Sequence, residues 1–371
     1  MKAGLRIGLV GPLPPPSGGM ANQTLQLAGL LREEHVEVEL IQVNRPYRPG
    51  WIGRFKGIRA GFRLLSYVSQ LWLSAGRVQL FHVMANSGWS WHLFAAPAIW
   101  IARLRGKPVI INYRGGEADS FFDKAFSWVK PSLSRANAII VPSGFLEGVF
   151  GKRGFSASIV PNIIDLSRFG AGMRSDTSTA GAGPDSPHII VTRNLEPIYD
   201  IETALRAFHI VRCSFPAAKL TLAGSGPERH TLEQLAFALG IGGAVTFTGR
   251  VDNEGMAAIY RSASVMLNPS LADNMPISIL EALASGVPVV STNVGGVPYL
   301  VEHEKNALLV PARDPQAMAN AVLRLLNDAA RTRRLIEAGM ECVQRYTWPN
   351  VRVPLFRVYE QVLAHGTDPV E

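Results

Sequence analysis

The feature that most constrains this chain is one pattern that runs twice. Short apolar runs alternate with stretches of helical length, first at Leu5–Val10, Val38–Val43, Val78–Val83, Val109–Tyr113, Ala138–Val141 and Ser158–Val160. The pattern restarts at His188–Thr192, Lys219–Ala223, Val245–Thr248, Ser264–Asn268, Val287–Ser291 and Ala307–Val310. A strand followed by a helix and another strand returns the chain to the same edge, so the strands run parallel and helices cover the sheet. Two doubly wound α/β domains follow, and 371 residues suffice for two separate cores. Between the halves, Gly170–Pro187 is rich in Gly, Ala, Ser and Thr, has no apolar period, and reads as a linker. The predicted limits are 1–169 for the first domain, 170–187 for the linker and 188–347 for the second domain. A terminal stretch, 348–371, is apolar at helical spacing from Trp348 to Leu363.

Other classes of chain fit less well. Hydrophobic content of 47% against 18% charged describes a globular protein rather than a disordered one. Two cysteines far apart, Cys213 and Cys342, read as buried thiols in a reducing compartment. The apolar run at the start is too short for a signal-peptide core and reads as a first strand. Val83–Ala102 lacks Lys, Arg, Asp and Glu and is long enough to be weighed as a membrane span, but Asn86, His92 and Pro97 interrupt it. A strand feeding a buried helix is the better reading.

The most informative segment is Asn268–Gly296, NPSLADNMPISILEALASGVPVVSTNVGG. A strand ends near Pro269, Asp273 and Glu281 follow, and a helix led in by Pro276 closes at Ser285-Gly286. Asn274, Met275, Pro276 and Ile277 would form the helix N-terminus, where backbone N–H groups bind phosphate, while a carboxylate on the helix accepts hydrogen bonds from sugar hydroxyls. A nucleotide sugar needs both. The spacing of Asp273 and Glu281 resembles the E-x7-E element of the retaining glycosyltransferases of family four, which have the GT-B fold, with Asp273 where the first Glu usually stands. In that family the second Glu holds the donor ribose, and the first acidic residue lies near the diphosphate and the transferred sugar.

The resemblance continues in order along the second half and covers nearly the whole chain. Val160–Phe169 is similar to the family's interdomain turn P-N-G-V-D-x-x-x-F, with Ile163 where Gly is common. Leu222–Arg229, with Gly224 and Gly226, resembles its G-x-G-P loop, whose glycines let backbone approach a nucleotide base. Arg193 matches the basic residue that pairs with the donor phosphates, a task suited to a permanently charged two-pronged donor. The Lys that normally follows is replaced at Ile198-Tyr199, so either another cation steadies the leaving diphosphate or activity is reduced. Arg114, in Asn112–Glu117 (NYRGGE) just after a predicted strand, occupies the place of a His in many relatives and is the candidate. A structural salt bridge to Glu117 or Asp119 is the competing role. In the first domain, Gly18 and Gly19 leave room for a diphosphate near a helix beginning at about Ala21. Their setting does not match G-x-G-x-x-G, which argues against a dinucleotide coenzyme. His82 and His92 suit either packing or acceptor contact.

The resemblance implies a GT-B fold with two Rossmann-like domains facing across a cleft and a C-terminal helix crossing back to the first. It also implies a retaining, front-face transfer of a sugar from a nucleoside diphosphate sugar to an acceptor hydroxyl, with no protein nucleophile, no cofactor beyond the donor substrate and no metal. The chain contains no D-x-D, in keeping with that expectation. A nucleotide-sugar 2-epimerase and a non-catalytic partner in a polysaccharide assembly complex remain as alternatives. The net charge of +8 is uneven: Arg45, Arg48, Arg54, Lys56, Arg59, Arg63 and Arg77 fall in a stretch with no acidic residue, interleaved with Trp51, Phe55, Phe62, Tyr67 and Trp72. Such a stretch suits an anionic lipid surface, although a merely solvated helix face has the same composition. The resulting expectation is a cytoplasmic enzyme, bound peripherally at the inner face of the membrane, that acts on a lipid-linked saccharide in cell-surface or exopolysaccharide synthesis and binds no nucleic acid.

Overall fold

The computed structural model describes residues 4–15, 18–45, 58–170 and 186–366. The expectations for Arg48, Trp51, Arg54, Phe55 and Lys56, and for most of the linker, lie outside these residues. The chain divides into two compact units, residues 1–162 with 351–371, and residues 163–350.

The first unit holds six parallel strands: β1 (Arg6–Gly11), β2 (Glu37–Gln42), β3 (Leu80–Ala85), β4 (Val109–Tyr113), β5 (Ala138–Val141) and β6 (Ser158–Ile159). Their order is β2-β1-β3-β4-β5-β6. Strand alternation sends Phe81 and Val83 of β3 into the larger core, under the helices Ile58–Ala75, Ala96–Leu104, Ala118–Leu133 and Gly144–Gly151. His82 points to the opposite face, where its ring meets Tyr359 of the terminal helix Trp348–His365. That helix is fastened to the first unit again by Arg352 to Glu34 at 2.5 Å and by the Gly366 carbonyl, which accepts from the Asn137 side chain at 3.3 Å.

The second unit repeats the plan with β7 (His188–Val191), β8 (Lys219–Ala223), β9 (Val245–Gly249), β10 (Val265–Asn268), β11 (Val289–Thr292) and β12 (Leu308–Val310), all parallel. Their order is β12-β11-β10-β7-β8-β9. From β7 the chain winds toward β8, and from β10 it winds toward β11, so the winding reverses between β7 and β10. The carboxyl ends of such a strand pair leave an opening that helices do not cover.

All twelve expected strands are present, with shifts of one or two residues at their ends. β3 starts at Leu80 because Val78 still caps the preceding helix, its N–H bonded to the Ser74 carbonyl at 3.0 Å. β11 starts after Pro288, which has no N–H to give the ladder. Val83–Ala102 is divided between β3, a single π turn at Trp91–Ala95 and a helix from Ala96. Among the described residues no helix is long and apolar enough to cross a membrane. Cys342 is buried as expected, but Cys213, near the end of the helix Ile201–Ser214, is exposed because it falls off that helix's core-facing side.

Candidate functional site

The second unit concentrates charged and polar side chains at the β7/β10 reversal. Arg193 lies two residues beyond β7, and Asp273 lies in the turn after β10. The two form an ion pair, with side chains only 11% and 13% exposed. Arg193 Nε also donates to Asn268 Oδ1 at 2.9 Å, and its guanidinium carbon sits 4.9 Å from the centre of the Tyr199 ring. Tyr199 stands in the stretch where the resemblance implied a Lys; there an aromatic face packs against Arg193. Burial lowers the Arg193 pKa, while the neighbouring Tyr199, Tyr260 and Glu281 act in the opposite sense.

The turn after β10 is held tightly. The Asp273 carbonyl accepts from Gly296 N–H at 2.8 Å, and a Cβ on Gly295, at φ +52°, would lie 2.2 Å from that same carbonyl. Asn274, Met275 and Pro276 are buried and deliver the chain into the helix Ile277–Ala284, with Pro276 at its N-cap. Proline fits there because its fixed φ suits helix entry and the first N–H groups have no partner within the helix. The helix stops in a Schellman turn. Gly286, at φ +65°, donates to Leu283 O at 3.2 Å and Val287 donates to Ala282 O at 2.9 Å.

Glu281, on this helix, receives the Tyr260 hydroxyl at Oε2 over 3.0 Å. The same hydroxyl lies 2.7 Å from Thr192 Oγ1 and 3.1 Å from the Ser278 carbonyl. Burial pushes the Glu281 pKa up to about 7, against the lowering effects of the Tyr260 bond, Arg193 and Arg168. The Ser278 hydroxyl, beside the helix entrance, is buried and meets no partner. The interdomain turn supports this arrangement from below: Ser285 Oγ donates to Phe169 O at 3.0 Å, and the Phe169 and Tyr260 rings meet edge to face at 5.8 Å.

Gly224 and Gly226 have a visible reason to lack side chains. A Cβ on either would fall 2.0 Å from Arg193 O or 2.1 Å from Leu195 O. The loop after β8 lies directly against the loop that carries Arg193, and the two glycines fix where that arginine stands.

In the first unit, Arg114 follows β4 and reaches three amide oxygens. Nε donates to Asn112 Oδ1 at 2.6 Å and Nη1 to Gln23 Oε1 at 3.1 Å, and Nη1 also meets Asn162 Oδ1. Gln23 belongs to the helix Gly19–Glu33, so Arg114 lies beside the first turns after Gly18 and Gly19. That helix begins two residues before the expected Ala21, with Gly18 as its N-cap. A Cβ on Gly18 or Gly19 would meet nothing within 4 Å. Burial lowers the Arg114 pKa to about 10, which leaves it charged at neutral pH. Asp119 pairs with Arg153 at 2.9 Å.

The two histidines differ. His82 is fully buried between Tyr359 and Asn112, and its pKa falls to about 3, mainly through burial and then through Arg114. His92 sits edge-on between Trp89 and Phe121. Sequence reasoning did not single out Gln23, Asn162, Asn268, Ser278 or Tyr359 as site neighbours. Asn268 ends β10 directly before Pro269, a signal that the chain leaves the sheet at its ligand-binding edge, whereas Asn162 lies in the turn beyond β6, just after Pro161. No local signal marks Tyr359.

Two Rossmann-like sheets with the terminal helix returned to the first unit define the GT-B class of glycosyltransferases. A family model described as "Glycosyl transferases group 1" matches residues 186–328, and one described as "Glycosyltransferase Family 4" matches residues 17–168. The chain belongs to this family of glycosyltransferases, enzymes that use nucleotide-sugar donors. It is 26% identical to the phosphatidyl-myo-inositol mannosyltransferase of Mycobacterium leprae, an alignment covering 98% of each chain. An uncharacterised glycosyltransferase of Methanocaldococcus jannaschii is 35% identical over 144 residues, so this chain spans 37% of that protein's length. Among solved structures, sucrose-phosphate synthase from Thermosynechococcus elongatus matches with a TM-score of 0.78 at 22% identity, covering 97% of this chain and 100% of the other. That match carries the fold.

Proposed function

We propose that the enzyme is a retaining glycosyltransferase that moves a sugar from a nucleoside diphosphate sugar to a hydroxyl of a lipid-linked acceptor at a membrane face. The observation that carries the donor half is the grouping of Arg193, Asp273, Glu281 and the entrance of the helix Ile277–Ala284 at the β7/β10 reversal. In this reading the backbone N–H groups at Asn274–Ile277 and the Arg193 fork take the diphosphate, where charge grows as the sugar departs. Glu281 accepts the ribose hydroxyls, and the unpartnered Ser278 hydroxyl offers one more contact. Gly224 and Gly226 border the nucleotide. Asp273 orients sugar hydroxyls or steadies positive charge on the sugar rather than attacking it.

Arg114 and the open Gly18–Gly19 turn supply the further cation and amides that the missing Lys calls for. The departing diphosphate helps to take the acceptor's proton, so the protein's part is positioning and charge stabilisation, with no metal required.

The acceptor half rests on the surface of the first unit and on the mycobacterial relative, whose name places its chemistry on a lipid. Phe62, Leu65, Trp72 and Leu73 stand exposed on the helix Ile58–Ala75, and Arg105 packs its guanidinium 4.7 Å from the Trp72 ring. Aromatic and basic groups side by side suit the headgroup region of an anionic membrane.

The test is transfer from a panel of UDP-, GDP- and ADP-sugars to extracted lipid acceptors, with the anomeric configuration of the product determined. A retained configuration and strict dependence on acceptor are expected. Turnover of donor to a new nucleotide sugar without acceptor would identify an epimerase instead, and binding without turnover under every pairing would leave a non-catalytic partner.

A further inference from the structure

A line of buried polar contacts runs through the first unit from the terminal helix to Arg114. Tyr359 Oη lies 2.7 Å from His82 Nδ1, and His82 Nε2 lies 2.9 Å from Asn112 Nδ2. Asn112 Oδ1 then receives Arg114 Nε at 2.6 Å. Tyr359, His82 and Asn112 are 0%, 0% and 1% exposed.

The donor roles along this line are fixed by chemistry. Arg114 can only donate, so Asn112 must face it with its oxygen, which turns the Asn112 amide N–H toward His82. His82 Nε2 must therefore accept, and its single proton sits on Nδ1, donated to the Tyr359 hydroxyl. A neutral ring is required for this, and burial keeps His82 neutral. Every member has one satisfied role, and none can rotate without leaving a buried group unmet.

A core built for stability alone would place apolar side chains here, as β3 does on its other face with Phe81 and Val83. We propose that Tyr359, His82 and Asn112 are positioning residues that hold the Arg114 guanidinium in a single orientation, which makes the terminal helix a working part of the catalytic apparatus. This inference rests on the reading of Arg114 as the cation that faces the departing diphosphate.

The test uses Tyr359→Phe, which removes one oxygen and leaves the ring, and Asn112→Leu, which breaks the line nearer to Arg114. Both are measured on the full chain at a temperature well below the melting point of each variant, with kcat and the donor KM determined separately. We expect kcat to fall about tenfold for Tyr359→Phe, the effect of one lost hydrogen bond, with the donor KM within about twofold. In an Arg114→Ala background, Tyr359→Phe should produce no further loss, because its effect passes through Arg114. A kcat unchanged by Tyr359→Phe, or a loss of equal size in the Arg114→Ala background, would overturn the proposal while the role of Arg114 stands. An Arg114→Ala enzyme with unchanged turnover would remove the reading beneath it. If Asn112→Leu does not fold, the Tyr359→Phe pair decides alone.

Discussion

Both units bury an arginine at the carboxyl edge of a parallel sheet, yet they hold it differently. Arg193 is locked to the carboxylate of Asp273 and stacked on Tyr199, whereas Arg114 is received by the amide oxygens of Asn112, Gln23 and Asn162. A carboxylate offsets charge as well as filling hydrogen bonds, so a diphosphate bound there as proposed would have to compete with Asp273 for Arg193. Amide oxygens accept N–H groups without bringing a charge of their own. Under the function proposed above, Arg193 would bind the diphosphate by giving up Asp273, while Arg114 would meet it already held in place by amides.

The largest expected effect is at the second unit. Glu281→Ala, and Arg193→Ala made together with Asp273→Asn so that no buried carboxylate loses its partner, should each cost about 2–4 kcal/mol in transfer. That corresponds to a fall in kcat/KM of about 30- to 1,000-fold, while circular dichroism stays native. Normal turnover in both proteins would sink the assignment of this site.

Next in size is the first unit's arginine. Arg114→Ala should slow transfer about 10- to 100-fold with a smaller effect on Tm, and Arg114→Lys should recover little, because an ammonium cannot span Asn112 and Asn162 as the guanidinium does. Rates that follow charge alone, with Lys as good as Arg, would break the contrast drawn above.

A third test uses Glu281. Its carboxyl is raised from 4.5 to about 7 in the folded unit, so the protonated form is favoured by folding. The stability it contributes is full below about 4.5 and is lost as pH rises through about 7. Without nucleotide, the Tm of the wild type should therefore decline between those values relative to Glu281→Gln. Nucleotide affinity should rise over the same range, since the ionised carboxylate is the better acceptor for ribose hydroxyls. Parallel melting profiles for the two proteins would contradict the buried setting of Glu281.

The smallest effect concerns surfaces. Among the described residues of the second unit, Phe237 and Tyr299 are the large apolar side chains left exposed, against Phe62, Leu65, Trp72, Leu73, Trp89, Trp100, Leu104, Trp128 and others in the first. Replacing Arg54, Lys56, Arg59 and Arg63 by Ser should weaken co-sedimentation with anionic vesicles by about 1 kcal/mol per side chain that reaches the lipid, and added salt should do the same. Donor binding should be unaffected. Equal sedimentation of both proteins would leave the basic stretch as an ordinary solvated face.

The strands were legible because parallel strands buried on both faces read as unbroken apolar runs, as at Val109–Tyr113 and Val265–Asn268. The grouping of candidate residues in the second unit was legible for a related reason: Asp273, Pro276, Glu281 and Gly286 fall within one turn-helix-turn, where spacing along the chain is spacing in space. The Tyr260–Glu281 contact joins side chains from two helices, and local spacing does not encode it. Gly224 and Gly226 were legible as glycines but not for their neighbours, since the backbone they abut belongs to the loop after another strand. Least legible was the His82–Tyr359 bond, whose partners lie 277 residues apart.

That separation has a consequence for how the protein is made. Residues 163–350 can close their own sheet as soon as they have left the ribosome, but the first unit cannot fasten Tyr359 beneath His82 until the terminal helix has followed them. The half that is synthesised first is completed last. Until then His82 of β3 and Asn112 of β4 stay open on one face of the sheet, and the nascent chain carries an unfinished domain in front of a finished one.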